Sequence, residues 1–156
     1  MTNEEILKSQ QIFLKNETIG GVSCAIGYMK KFKWSWMATQ LNTFVFIGDA
    51  AGTIDKNTIE KFSDACYQYA IRNNRGWPRG LQSGVGSIAI LKGNIIEPAA
   101  AAFCESPSKK HWSAFEVPVI YNSSERKLIR YKSNPIWGRI FFPYFSKLIG
   151  EVTGKF

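Results

Sequence analysis

The sequence predicts an α+β fold of mixed α/β character, with a single mixed β-sheet and helices packed on it. Segments with helical spacing of apolar residues alternate with short apolar or alternating segments. The strand, helix, strand order of residues 44–91 favours a parallel crossover, and a hairpin pattern at 114–131 adds an antiparallel pair. With 156 residues, 45% of them hydrophobic, the chain is expected to form a single domain over residues 1–156.

The N-terminal segment is predicted to be a helix followed by a strand. Apolar side chains of residues 3–16 share one helical face, and Glu4 and Glu5 at the start suit the helix dipole. A Gly-Gly pair at 20–21 ends the helix. The apolar run at 22–29 is typical of a strand.

Two further segments indicate strands in the first third of the chain. Residues 31–36 alternate aromatic and polar side chains, as in a half-buried strand, whereas residues 44–47 are continuously apolar, as in a central strand. The polar residues 39–43 lie between them. These segments are predicted either as the two strands of a hairpin or as one long bulged strand.

A long amphipathic helix is predicted over residues 55–74. Its apolar residues recur at three- and four-residue steps, and Asp55 is placed to cap its first turn. Arg72 and Gly76 suit its C-terminal end, because a cation complements the dipole and glycine stops the helix. The apolar run at 87–91 then predicts a strand.

The remaining elements are a short helix, a hairpin and a C-terminal helix. Pro98 followed by alanines fits a helix start, and residues 114–131 fit a hairpin. Pro118 argues for an edge position or a bulge, because proline donates no hydrogen bond to a neighbouring strand. Residues 134–154 have helical spacing interrupted by Pro143, which predicts a kinked or two-part helix.

The chain carries a net charge of +8, because 20 lysines and arginines outnumber 12 aspartates and glutamates. The excess falls in clusters, which attract phosphates and other anions over long distances. An anionic small molecule, a nucleotide or nucleic acid is therefore the expected partner. The alternative is that the positive charge only keeps the protein soluble. The clusters are Lys30, Lys31 and Lys33; Arg72, Arg75 and Arg79; Lys109 and Lys110; and Arg126, Lys127, Arg130 and Lys132.

Other features of the sequence indicate a soluble, cytoplasmic protein. The N-terminus is acidic and polar, unlike a secretory signal, and no apolar run has the length of a transmembrane segment. Cys24, Cys66 and Cys104 are an odd number without C-x-x-C spacing, as is typical of buried thiols in a reducing compartment. No disulfide, metal site or cofactor is indicated.

The glycine-rich stretch RGWPRGLQSGVGS, residues 75–87, is the segment most like a ligand-binding loop. It follows a helix and precedes a strand, whereas Walker and dinucleotide-binding loops follow a strand and open a helix. Its context therefore excludes both named motifs. A structural alternative is that Gly76 and Gly80 supply positive φ, while Gly84 and Gly86 allow close packing.

An anion site is the functional interpretation of the same stretch. Arg75 and Arg79 can each donate two hydrogen bonds to a phosphate or carboxylate, and Trp77 offers a stacking surface. Gln82 and Ser83 offer further hydrogen bonds. A non-catalytic binding module using these five residues is the favoured function.

Basic and aromatic residues are interleaved at 30–36, 75–79, 109–112 and 126–132. Single-stranded nucleic acid suits such a mixture, because bases stack on rings and the backbone follows the positive charge. The alternative is that the rings face the core.

Catalytic alternatives centre on Asp49 and on a cysteine–histidine pair. Asp49, at a strand end, can serve a small hydrolase or transferase, but a restriction-type metal site also needs an acid-x-Lys, and Glu116 lacks that lysine. Cys104 and His111 can act as thiolate and base if the loop between them brings them together, with Lys109 and Lys110 lowering the thiol pKa. The alternative is a buried cysteine and a solvent-facing histidine.

The segments KWSWMATQLNTFVFI and PRGLQSGV resemble an uncharacterised group of small bacterial proteins with a WxWMATQL strand and a PRGLQxGV turn. The resemblance covers roughly residues 30 to 90, and it implies one intact domain and no activity. The aromatic C-terminal helix is expected to dock on the sheet, to lie on a membrane surface or to form a homodimer.

Overall fold

The computed structural model describes residues 1–79, 82–132 and 140–156. A 3₁₀ turn, Trp34–Trp36, connects the second and third strands. In chain order the helices and strands of the described residues are α1 (Asn3–Ser9), β1 (Phe13–Ile19), β2 (Val22–Lys33), β3 (Thr39–Asp49), α2 (Lys56–Arg72), β4 (Ser83–Gly93), α3 (Pro98–Glu105), β5 (Ala114–Asn122), β6 (Lys127–Ile129) and α4 (Phe142–Thr153).

The strands form one mixed sheet whose spatial order is also the chain order, from β1 to β6. Strands β1, β2 and β3 are antiparallel, β3, β4 and β5 are parallel, and β6 is antiparallel to β5. Helix α2 connects β3 to β4, and α3 connects β4 to β5, because parallel neighbours need a crossover. The predicted class, an α+β fold with a single mixed sheet and helices packed on it, is confirmed.

Helices cover both faces of the sheet and create two apolar layers. Strand β3 is buried along nearly its whole length, and its alternate side chains enter opposite layers. Phe44 and Phe46 belong to the layer under α2 and α3. Val45 and Ile47 belong to the layer under α1 and α4.

The N-terminal helix is shorter than predicted. A capping box between Thr2 and Glu5 starts α1, but the helix ends at Ser9 and Gln11 adopts a positive φ of 59°. Residues from Phe13 onward form β1 and pair with β2. The prediction of helix through residue 16 was wrong because strand pairing, which is non-local, overrides the local helical spacing.

Strands β2 and β3 form a hairpin, which resolves the alternative between a hairpin and one bulged strand. The turn lies at Trp34–Ala38, not at the polar residues 39–43, which are buried in β3. Met37 and Ala38 adopt left-handed φ values of 55° and 57°. The alternating aromatic pattern of residues 31–36 therefore ends in a turn.

The later elements agree with the predictions except at the C-terminal helix. Asp55 caps α2 through Thr58, as predicted. Strand β6 pairs with residues 120–122, so within the described part of the chain no strand lies beside Pro118 on that side of β5. Helix α4 begins at Phe142, so Pro143 lies in its first turn and produces no kink. The part of that prediction on residues 134–139 lies outside the described residues.

The apolar face of α4 packs on its own sheet. Phe145, Leu148, Ile149 and Val152 are buried in the layer shared with α1. These side chains are therefore not available to a second copy of the chain or to a membrane surface.

The three cysteines are free and buried, and burial raises the pKa of Cys24 and of Cys104 to about 12. Above about pH 8.5 the unfolded chain loses thiol protons that the folded chain keeps. Stability is therefore expected to fall as pH rises from there, by roughly 1.4 kcal/mol per pH unit for each thiol. Urea unfolding at several pH values measures this, and Cys104→Ala should reduce the slope by one thiol's share. If Cys104→Ala left the slope of stability against pH unchanged, the raised pKa of the Cys104 thiol would be contradicted.

Candidate functional site

Buried polar side chains of β3 hold the loop that follows α2. Gln40 Oε1 accepts a hydrogen bond from the backbone N–H of Trp77 at 3.0 Å, and Asn42 Oδ1 accepts one from the Tyr28 hydroxyl at 2.8 Å. Gly76 lies directly on these two side chains, because a Cβ there would be 2.3 Å from Asn42 and 2.4 Å from Gln40. Gly76 is thus required for close approach. It does not adopt the positive φ expected from the sequence.

The start of β4 completes this loop. The Ser83 hydroxyl is buried and donates to the Trp77 carbonyl at 2.9 Å, and the Gln82 carbonyl accepts from the Gln40 N–H at 2.9 Å. Ser83, predicted to bind a ligand, therefore uses its hydroxyl to hold the loop, because its strand position points it inward. Gln82, the other residue predicted to hydrogen-bond a ligand, is exposed. The predicted role of Gly80 lies outside the described residues.

Three exposed aromatic rings gather beside the loop. Phe32, Trp34 and Trp77 are 40%, 81% and 51% exposed. The Phe32 ring is 5.2 Å from that of Trp34 and 6.4 Å from that of Trp77, both edge to face. The alternative that these rings face the core is therefore wrong for all three.

The basic residues near these rings divide between the two faces of β2. Lys31 lies over the Tyr144 ring and Lys33 over the Trp36 ring, at 5.4 and 5.0 Å, on the α4 side. Lys30 and Phe32 pair with Asn42 and Gln40, so they belong to the α2 side. Of the three lysines, only Lys30 shares a face with the exposed rings.

The arginines of the loop lie on the same side. Arg75 adjoins Gly76, which lies on the side chains of Asn42 and Gln40 on the α2 side. Burial raises the pKa of Tyr28, and the positive charge of Arg75 partly offsets this rise. The Arg79 guanidinium donates to the Tyr67 hydroxyl on α2 at 3.4 Å. We call Phe32, Trp34 and Trp77, with Lys30, Arg75 and Arg79, the aromatic–basic surface.

A buried polar cluster lies next to this surface, on the same face of the sheet. Glu116 is 5% exposed, and one carboxylate oxygen accepts a hydrogen bond from the Ser63 hydroxyl at 3.0 Å. The other oxygen is 2.9 Å from His111 Nε2. The Tyr67 ring stacks on the imidazole with centroids 4.0 Å apart and an interplanar angle of 17°. Because Arg79 contacts Tyr67, the cluster and the surface are continuous.

The cysteine–histidine hypothesis does not match this geometry. No hydrogen bond or ion pair joins Cys104 to His111, both of which are described residues. Cys104 is 1% exposed, and burial raises its thiol pKa to about 12, so the nucleophilic thiolate is scarce at neutral pH. His111 faces Glu116 and is only partly exposed.

Asp49 lies at the other end of the sheet. Ala114 bridges to His111, and the strand register aligns Ala114 with Val85 of β4 and Val85 with Asn42 of β3. Asp49 follows Asn42 by seven residues, which is roughly 23 Å along the strand. The exposed Asp49 carboxylate pairs with Lys92 at 3.1 Å and accepts from Asn3 at 2.7 Å. The structure therefore does not bring Asp49 together with His111.

Sequence reasoning missed Tyr67, which stacks on His111, and Ser63, which donates a hydrogen bond to Glu116. Both lie on the buried side of α2, which faces the core. No local sequence pattern there indicates which side chain a polar residue will contact. Glu116 did carry a signal, because it is a lone acid in the apolar strand AFEVPVI at a position that alternates toward the core. That signal identifies a buried acid but not its partner.

No protein family, curated protein or solved structure matches the chain. Within residues 1–79, 82–132 and 140–156, no three His, Cys, Asp or Glu side chains are grouped to hold a metal ion. The same residues include no helix that is long and apolar enough to cross a membrane.

Proposed function

We propose that this protein binds single-stranded nucleic acid on the aromatic–basic surface. The observation that carries the proposal is the contiguous exposure of Phe32, Trp34 and Trp77. Leaving such rings in water forgoes the stabilisation of burial, roughly 25 cal/mol per Å² of apolar area. Clusters of exposed apolar residues commonly mark an interaction site.

The charges around the rings favour a phosphate-bearing ligand. Arg75 and Arg79 flank Trp77 in the chain, and both residues are exposed. A guanidinium can donate two parallel hydrogen bonds to a phosphate, which adds geometric fit to attraction. Lys30 adds a third positive charge on the same face, and the net charge of +8 attracts polyanions from a distance.

A single strand suits the surface better than a duplex. The bases of a single strand are free to stack on protein rings, whereas those of a duplex are stacked on each other. Base stacking needs no particular sequence, because every base has an aromatic face. The proposal is therefore binding with little sequence preference and strong dependence on salt.

The charge contribution is tested with the double variant Arg75→Ala, Arg79→Ala. Affinity for a labelled single-stranded oligonucleotide, measured by fluorescence anisotropy at low salt, should fall by at least about 10-fold, since hydrogen bonds to charged groups contribute roughly 1.5–3 kcal/mol. The slope of log affinity against log salt concentration should also fall by roughly 1.4, because each single-strand phosphate contact contributes about 0.7.

The matched control is the double variant Lys147→Ala, Lys155→Ala, which removes the same charge from exposed positions of the α4 region. Its salt slope should stay close to that of the wild type. If both double variants weakened binding equally, binding would depend only on the net charge of the protein. That result would contradict a defined binding site. Binding only to vesicles of anionic lipid, with none to the oligonucleotide, would also overturn the proposal.

A further inference from the structure

We propose that His111 is a general base that cleaves a bound RNA strand by transesterification at its 2′-hydroxyl. This inference rests on the proposed function, because the surface that binds the strand must bring it to the imidazole. The reaction adds an activity to binding. Its active group is the only histidine of the chain.

The hydrogen bond to Glu116 leaves one imidazole nitrogen available. A carboxylate oxygen only accepts, so the 2.9 Å contact favours the tautomer in which Nε2 carries the proton. Nδ1 of this neutral tautomer then carries the lone pair that can accept a proton. The side chain is 23% exposed, so it lies at the boundary between the buried cluster and solvent.

Buried contacts hold the imidazole in one orientation. Glu116 is itself fixed by Ser63, and Tyr67 stacks flat on the ring. Ser87 is opposite Glu116 in the register of β4 and β5 and is 1% exposed, and its buried hydroxyl has no hydrogen-bond partner among the described residues. A buried unpaired polar group costs roughly 1–3 kcal/mol, and such groups call for a functional or solvent partner. Glu116 and Tyr67 are positioning residues in this scheme.

Arg79 brings the strand to the base. It lies two residues after Trp77, within about 7 Å along the chain, so a nucleotide stacked on Trp77 has its phosphate near the guanidinium. The same guanidinium contacts the hydroxyl of Tyr67, whose ring covers His111. A phosphate held by Arg79 is therefore adjacent to the imidazole.

The proposed reaction is a transesterification within the RNA strand. His111 Nδ1 takes the proton of a ribose 2′-hydroxyl, and the 2′-oxygen forms a bond to the adjacent phosphorus. The bond from phosphorus to the 5′-oxygen of the next nucleotide breaks, and that oxygen takes a proton from water. The imidazolium returns its proton to the resulting hydroxide. Arg79 stabilises the negative charge that develops on the phosphoryl oxygens.

The experiment uses the full chain with three labelled strands of one sequence, made of RNA, 2′-O-methyl RNA and DNA, in buffer containing EDTA. All three should bind, and only RNA should be cut, leaving a 2′,3′-cyclic phosphate and a 5′-hydroxyl. His111→Asn should bind RNA with nearly unchanged affinity and cut it at least about 100-fold more slowly. Glu116→Gln should lower kcat with little effect on KM, because it disturbs the tautomer and not the binding surface.

The outcomes separate the two proposals. Binding of all strands without cleavage overturns the catalytic inference and leaves the binding function standing, whereas binding of none overturns both. Cleavage by His111→Asn at the wild-type rate would identify a contaminating ribonuclease and also overturn the inference. If a variant fails to fold by circular dichroism, the 2′-O-methyl strand still tests the 2′-hydroxyl step on the wild-type protein: cutting of that strand would contradict it.

Discussion

Replacing both Trp34 and Trp77 by alanine is expected to weaken the binding of a single-stranded oligonucleotide by about 30-fold or more. Base stacking on an aromatic side chain contributes roughly 1–3 kcal/mol per base, and the two substitutions remove two platforms. Both rings are largely exposed, at 81% and 51%, so the substitutions create no cavity in the core. Affinity should therefore fall while the free energy of unfolding changes little.

Fluorescence anisotropy titration of a labelled oligonucleotide measures this effect. Ile95→Ala is the matched control, because Ile95 is a large apolar residue that is 64% exposed beyond the other end of β4. The control should bind like the wild type. The variant Trp34→Phe, Trp77→Phe should retain most of the affinity, because phenylalanine keeps a stacking face. An alanine double variant that binds as tightly as the wild type would show that the rings are not the platform.

Replacing Phe145 by alanine is expected to lower the free energy of unfolding by about 3–5 kcal/mol. Phe145 is 2% exposed, and its ring lies 5.6 Å from that of Phe115 on β5. It also fills the space left by Gly86, where a Cβ would lie 2.8 Å from the ring. Neither neighbour can fill the gap easily, because glycine has no side chain and Phe115 is anchored in a strand.

Urea denaturation followed by circular dichroism measures the loss. Lys147→Ala is the control on the same helix, where an exposed side chain should change stability by no more than about 0.5 kcal/mol. A loss below about 1 kcal/mol for Phe145→Ala would show that α4 is not docked on its own sheet. The face of α4 would then again be open to a second copy of the chain.

The predicted elements that proved accurate carry their own local signals. Helix α2 has a regular apolar stripe and an Asp55 cap, and the hairpin of β5 and β6 has alternating strands around a polar turn. The predictions that failed depended on pairing with distant residues. Phe13 fits a helical face by spacing, but its backbone pairs with Gly27 in β2. The polar residues 39–43 left a hairpin and one long bulged strand as alternatives, yet they form the buried start of β3, where Gln40 accepts a hydrogen bond from the loop after α2.

Part of the candidate site can also be predicted from a short segment of the sequence. Arg75, Trp77 and Arg79 follow one another in a short segment, so their association needs no knowledge of the fold. The sequence predicts Ser83 as a ligand contact, but its hydroxyl donates a hydrogen bond to the Trp77 carbonyl. The direction of this side chain depends on where β4 begins, which no local pattern specifies. Proximity in sequence favours Cys104 as the partner of His111, whereas the structure pairs His111 with Glu116.

By itself, the sequence determined the fold class, the excess of positive charge and the location of the glycine-rich loop. These properties follow from composition and from patterns within short windows. Only the tertiary structure decided which rings are exposed together and which polar groups meet in the interior. Phe32 and Trp77 come from a strand and a distant loop, and Ser63 is separated from Glu116 by 53 residues. Such contacts arise from the packing of α2 on the sheet, because no local pattern specifies the partner of a buried polar group.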